Sequence, residues 1–369
     1  MSRLKVIISG GGTGGHIFPA ISIANEIRVR FPDADILFVG AEDRMEMERV
    51  PAAGYRITGL PVSGFNRRQK LKNIDVILKL CRSLCMARKI IRDFKPEIVI
   101  GVGGYASGPA LLMASLLRIP ILIQEQNFCA GVTNRLLARR AAKICVAYRG
   151  MHRFFPPERI IITGNPVRKD LEAVRAKDPE AMDYFGCKAG KPVLLVLGGS
   201  LGARTVNRGV RRGLDALINA GIQVIWQTGK CEYDTIKDDL KDRSYEGLWY
   251  ADFISRMDYA YAAADLVVSR AGAGTIAELS LLQKPVILVP SPNVAEDHQN
   301  KNARALSENN AAVLLPDHEA EEQLAPVAIR VIADSKQLYF LSENIALFAQ
   351  LNSAERIVDE VVRIIDRPK

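Results

Sequence analysis

At 369 residues, 48% hydrophobic and 25% charged, the chain has the length and composition of an ordinary soluble protein with two full cores. Ser2-Arg3 runs straight into an apolar strand and the apolar stretch 109–117 stops at Arg118, so neither a secretory signal nor a spanning helix is expected. The net charge of +9 is uneven: residues 1–166 carry 25 Lys and Arg against 12 Asp and Glu, and residues 167–369 carry 25 against 29, which points to an anionic partner for the first part only.

The first strand is expected over 4–8, followed by SGGGTGGHIFPA at 9–20 and a helix with apolar spacing over 19–27. Glycines at a strand-to-helix turn admit a ligand to the backbone, and the helix start offers N–H groups to an anion. His16 is a candidate proton acceptor there. Gly10-x-Gly12-x-x-Gly15, with Glu42 beyond a strand at 36–39, also satisfies dinucleotide-binding spacing, so an NAD site stays open on this motif. No Lys-Ser or Lys-Thr follows the glycines, which excludes a Walker A loop. Asp33-Ala34-Asp35 looks like a metal-binding D-x-D but precedes its strand, and reads as a solvated turn.

Between Arg67 and Lys95 an amphipathic helix is expected, with Ile74, Ile77, Leu78, Cys81, Leu84 and Cys85 at helical spacing and Lys72, Lys79, Arg82 and Lys89 as a basic stripe. It either packs on its own domain or settles on an anionic membrane surface. Aromatic residues only flank it, so nucleic acid is not expected as a partner. The six cysteines (81, 85, 129, 145, 187 and 231) form no C-x-x-C pair and are expected to be free buried thiols.

Strands at 98–100, 121–123 and 144–146 alternate with helices at 110–117 and 133–140, which predicts a parallel, doubly wound sheet. A second glycine loop, Gly101 to Pro109, follows the strand at 98–100, and Glu125-Gln126-Asn127 follows the next. The pattern then repeats, with strands at 193–197, 223–226, 266–268, 286–289 and 312–315 and helices at 203–220 and 275–282. Gly198-Gly199-Ser200-Leu201-Gly202 opens the second half, and Arg270-Ala271-Gly272-Ala273-Gly274-Thr275-Ile276-Ala277-Glu278 follows the strand at 266–268. The fold class is therefore α/β, two Rossmann-like doubly wound parallel sheets, expected to face a cleft. A closing helix is expected over 354–365.

GGTGGH at 11–16, GGYASGP at 103–109, EQN at 125–127, NPVR at 165–168, GGS at 198–200, AGAGTIAE at 271–278 and DHQ at 297–299 together resemble the MurG family of glycosyltransferases. The resemblance implies the GT-B architecture: an N-terminal acceptor and membrane-associating domain at 1–165, a donor domain at 166–342, and a segment at 343–369 crossing back. It implies inverting transfer of GlcNAc from UDP-GlcNAc to the muramoyl 4-hydroxyl of undecaprenyl-linked lipid I. The enzyme would be peripheral at the cytoplasmic membrane face, with no cofactor or metal and with cell-wall synthesis proteins as candidate partners. Carried onto this chain, it gives His16 as base and Thr13, Gly14 and Gly15 near the sugar diphosphate. Asn127 would lie on GlcNAc, and Arg168 and Ser200 on the diphosphate. Ile254 would face uracil, Ala273, Gly274, Thr275, Ile276, Ala277 and Glu278 the nucleoside, and Gln299 the sugar hydroxyls. Gly103, Gly104, Tyr105 and Ser107 would meet the acceptor diphosphate. A UDP-GlcNAc 2-epimerase of the same fold, an NAD-dependent oxidoreductase and a membrane scaffold are the alternatives.

Overall fold

The computed structural model describes residues 3–62, 73–168, 171, 173–174, 176–199 and 201–366. Ser200, Lys72 and the start of the expected basic helix lie outside them. The chain forms two units, Met1–Val167 with Gln350–Lys369, and Arg168–Ala349.

The first unit opens with β1 (Lys5–Ser9), α1 (Gly14–Arg30), β2 (Asp35–Ala41), α2 (Glu46–Ala52) and β3 (Arg56–Leu60). It continues through α3 (Asn73–Phe94), β4 (Ile98–Gly101), α4 (Ser107–Leu116), β5 (Ile121–Glu125), α5 (Val132–Leu137), β6 (Lys143–Val146) and β7 (Ile160–Ile162). The seven strands are parallel in the order β3-β2-β1-β4-β5-β6-β7. Successive residues of β1 face opposite sides. Val6 and Ile8 meet Ile17, Ile23 and Ile27 of α1, while Ile7 joins Ala87 and Ile91 of α3 and Leu111 of α4.

The second unit contains α6 (Pro179–Tyr184), β8 (Val193–Leu197), α7 (Arg204–Asn219), β9 (Gln223–Gln227), α8 (Tyr233–Leu240), β10 (Leu248–Ala251) and α9 (Met257–Ala263). Then come β11 (Leu266–Ser269), α10 (Ala273–Leu281), β12 (Val286–Leu288), α11 (His298–Ser307), β13 (Val313–Leu314), α12 (Ala320–Ala333) and α13 (Ser335–Ala346). Its six strands are parallel in the order β10-β9-β8-β11-β12-β13. Leu194, Val196 and Trp226 pack against Val206, Val210 and Leu214 of α7 and Leu324 and Ala328 of α12.

The last helix, α14 (Ser353–Ile365), belongs to the first unit. Ile357, Val358 and Val361 enter the core shared with α1. Arg30 at the end of α1 pairs with Asp359 and donates to Glu355 O at 3.0 Å.

The first helix begins at Gly14, five residues before the apolar spacing sets in, and His16 lies in its first turn as expected. One expectation is corrected. Of the cysteines only Cys145 is buried, while Cys81, Cys85 and Cys231 are exposed. Helix α3 buries Val76, Ser83, Ala87 and Ile91 and leaves Ile77 (52% exposed), Leu78 (65%), Cys81 and Cys85 on its outer side. Apolar spacing marked a real stripe, but one that does not face the core.

Candidate active site

In each sheet the chain leaves the central strand in one direction and returns on its other side, at β1/β4 and at β8/β11. Ligands of doubly wound sheets bind at the strand C-termini beside such a reversal. All four glycine-rich stretches leave these four strands.

In the first unit the two loops touch. Gly104 has φ +85°, and a Cβ there would lie 2.3 Å from Gly11 O, so only glycine fits. Gly103 has φ +95°, and a Cβ there would lie 2.9 Å from Cδ2 and Nε2 of His16. The imidazole thus rests on bare backbone, with Nδ1 3.2 Å from Thr13 Oγ1. Thr13 O accepts from His16 N and Ile17 N, starting α1. Ser107 Oγ donates to Gly104 O at 2.9 Å, while Tyr105 is 56% exposed. Glu46, which sequence reasoning missed, is 1% exposed and accepts from Gly12 N at 3.0 Å and Ala41 N at 2.9 Å. A buried carboxylate holding the middle glycine's N–H opposes a pyrophosphate in that place, which argues against the dinucleotide reading.

The stretch after β5 is a clasp. Glu125, 2% exposed, accepts from Asn127 N, Asn127 Nδ2, Gly131 N and Asn134 Nδ2. Burial raises its pKa, and these donors oppose the rise. Gln126 Nε2 donates to Val102 O at 2.7 Å, and Asn165 Nδ2 donates to Gln126 O at 2.9 Å. Of the EQN triplet, two residues are therefore structural and Asn127 is held in place by the first.

In the second unit Gly202 has φ +90° and lies against Thr228 O, where a Cβ would come within 2.5 Å. Arg270, at the end of β11, pairs with Asp317 and donates to Thr205 Oγ1 at 3.2 Å, tying the strand end to the first turn of α7. Helix α10 starts immediately after Gly272, so the N–H groups of Ala273, Gly274 and Thr275 have no partner inside it. Within this stretch the Ile276 side chain is 0% exposed and its N–H donates to Gly272 O. Ala277 follows on the same helix. Glu278 accepts from Tyr261 OH at 2.8 Å through Oε2, while Oε1 lies 3.7 Å from Arg168 Nε. Ile254 N donates to Gln227 Oε1 at 3.1 Å. Gln299 Oε1 accepts from Ser291 N at 2.8 Å, leaving the amide nitrogen to donate. Among the described residues, no group of three or more His, Cys, Asp or Glu side chains could hold a metal ion.

Glu46, Tyr261, Gln227 and the Arg270–Asp317 pair carry no local motif, because each acts on a residue distant in sequence. Comparison with known proteins gives these loops their context. Residues 6–146 match the glycosyltransferase family 28 N-terminal domain, and residues 193–361 match its C-terminal domain. A Parabacteroides distasonis protein named UDP-N-acetylglucosamine--N-acetylmuramyl-(pentapeptide) pyrophosphoryl-undecaprenol N-acetylglucosamine transferase is 60% identical over all of both chains. The chain belongs to the MurG family of glycosyltransferases. A crystal structure of Acinetobacter baumannii MurG matches with a TM-score of 0.78 at 26% identity, over 98% of this chain and 100% of that one, and the two folds are those of GT-B. A Listeria monocytogenes protein described as a UDP-N-acetylglucosamine 2-epimerase matches with a TM-score of 0.69 at 12% identity, over 100% of this chain and 99% of that one. That likeness is one of fold alone.

Proposed function

We propose that this MurG-family enzyme transfers GlcNAc from UDP-GlcNAc to the muramoyl 4-hydroxyl of lipid I, with inversion, giving lipid II. The single observation that carries the reading is the full-length 60% identity to an enzyme of that name.

The chemistry follows from the two halves of the reaction. A sugar hydroxyl is too weak an acid to attack unaided, so a base takes its proton as the new bond to the anomeric carbon forms. We assign this to His16, whose Nδ1 lies 3.2 Å from Thr13 Oγ1; in the tautomer that gives Nδ1–H to that oxygen, Nε2 carries the lone pair that takes the proton. As the anomeric carbon–oxygen bond breaks, its electron pair leaves on the β-phosphate of UDP. Fixed donors stabilise that charge: the N-terminal N–H groups of α10, Arg168 and, by resemblance, Ser200. Glu278 takes the ribose hydroxyls and the Ile254 carbonyl takes the uracil N3–H, while Gln299 and Asn127 hold GlcNAc. Gly103, Gly104, Tyr105 and Ser107, with Thr13, Gly14 and Gly15, form the diphosphate-facing surface of the first unit.

The membrane contact is assigned to α3. Exposed Ile77 and Leu78 lie beside exposed Arg82 and Lys89, a pairing suited to an anionic bilayer surface. No helix among the described residues is long and apolar enough to cross a membrane. A peripheral place at the cytoplasmic face belongs to the same proposal, by resemblance to the family. The test is UDP release from UDP-GlcNAc with and without lipid I, in EDTA. Release that requires lipid I and survives EDTA is expected; release without acceptor, or none with it, overturns the assignment.

A further inference from the structure

The buried phenol of Tyr261 has no part in the function proposed above, yet it touches the carboxylate assigned to the ribose. Tyr261 lies on α9, before β11, and is 0% exposed; Glu278 lies on α10, after the same strand. The phenol reaches across and donates to Glu278 Oε2 at 2.8 Å. Burial, reinforced by the neighbouring carboxylate, keeps its pKa well above the usual value, so the hydroxyl stays a donor at any working pH. The other oxygen, Oε1, faces Arg168 at 3.7 Å.

We propose that Tyr261 is a positioning residue for the donor nucleotide: its hydroxyl locks the Glu278 carboxylate in the plane needed to accept both hydroxyls of a ribose diol. A diol needs two acceptors at fixed spacing, and a carboxylate free to rotate about its terminal torsion presents them only part of the time. The phenol uses one lone pair of Oε2. Arg168, 3.7 Å from Oε1, is the group assigned above to the phosphates. Sites built to accept from hydroxyls reject analogues that lack them, so the lock acts on specificity as well as affinity. The inference rests on the ribose role of Glu278.

The test is calorimetric binding of UDP and 2′,3′-dideoxy-UDP to the full chain, for wild type, Tyr261→Phe, Glu278→Ala and the double variant. Tyr261→Phe is expected to weaken UDP about tenfold, the scale of one hydrogen bond to a charged group. The dideoxy analogue should change by less than about twofold, and Tyr261→Phe should add nothing in the Glu278→Ala background. Equal weakening of both nucleotides means that the tyrosine only supports the fold, and overturns the proposal. If Glu278→Ala abolishes the preference for UDP and Tyr261→Phe preserves it, Tyr261 alone is misassigned. If Glu278→Ala preserves the preference, the ribose role falls and the proposal with it.

Discussion

At the scale of single residues, the first unit's site depends on side chains that are absent. Gly104 lets one loop lie on the other, and Gly103 lets the His16 ring lie against bare backbone. Gly104→Ala would combine a left-handed backbone, roughly 1–2 kcal/mol for a residue with a Cβ, with a contact to Gly11 O that backbone cannot yield. We expect a loss of about 2–4 kcal/mol in urea unfolding of this unit; a change below about 0.5 kcal/mol would contradict the close approach. His16→Ala should lower kcat by roughly two to four orders of magnitude, the scale of a lost general base. UDP binding should be preserved, because the nucleotide groups named above lie in the second unit. Near-normal turnover would reassign His16 to positioning. The glycine loops were legible in the sequence because a strand, a run of glycine and a helix occur consecutively. Glu46 and Tyr261 were not, since nothing near Gly12 or Glu278 in sequence announces a partner 34 or 17 residues away.

At the scale of elements, legibility followed burial. Central parallel strands are covered on both faces and read as continuous apolar runs, as in Ile98–Gly101 and Val193–Leu197. The strands that sequence reading passed over, Arg56–Leu60, Ile160–Ile162 and Leu248–Ala251, are all edge strands with mostly half-buried residues. Helix α3 was found, but its spacing could not say which stripe met the core. Val76, Ser83, Ala87 and Ile91 do, a thinner set than Ile77, Leu78, Cys81 and Cys85 outside. That outward apolar stripe gives the membrane assignment its own test. Charge reversal of Lys79, Arg82 and Lys89 removes on the order of 3 kcal/mol of attraction to anionic lipid, about a hundredfold in partitioning. Vesicle sedimentation should show that loss with phosphatidylglycerol and little change with neutral lipid; unchanged binding to anionic vesicles sinks the assignment.

At the scale of the whole molecule, burial of a charged group ties stability to pH. Lys284 is 7% exposed, donates to Ala264 O at 2.9 Å, and burial lowers its pKa to about 8 from 10.5. Between those values the unfolded chain binds the extra proton and the folded chain does not. The penalty is therefore full below pH 8 and fades as pH rises toward 10.5, so stability gains with pH in that window. Lys284→Met should remove this gain, seen as a flatter pH dependence of the thermal midpoint between pH 8 and 10; an unchanged slope would contradict the burial argument.

The paired folds, the loops at both chain reversals and the 60% identity converge on one reaction, and one assay addresses it most directly. The protein is incubated with UDP-GlcNAc labelled in the sugar and with a lipid I acceptor in EDTA, and the labelled products are separated. The account predicts label in a disaccharide lipid joined by a β-linkage at the muramoyl 4-hydroxyl, with one UDP released per sugar moved. Label recovered as an epimerised UDP-sugar, or lipid left unlabelled while UDP-GlcNAc is bound, would contradict it.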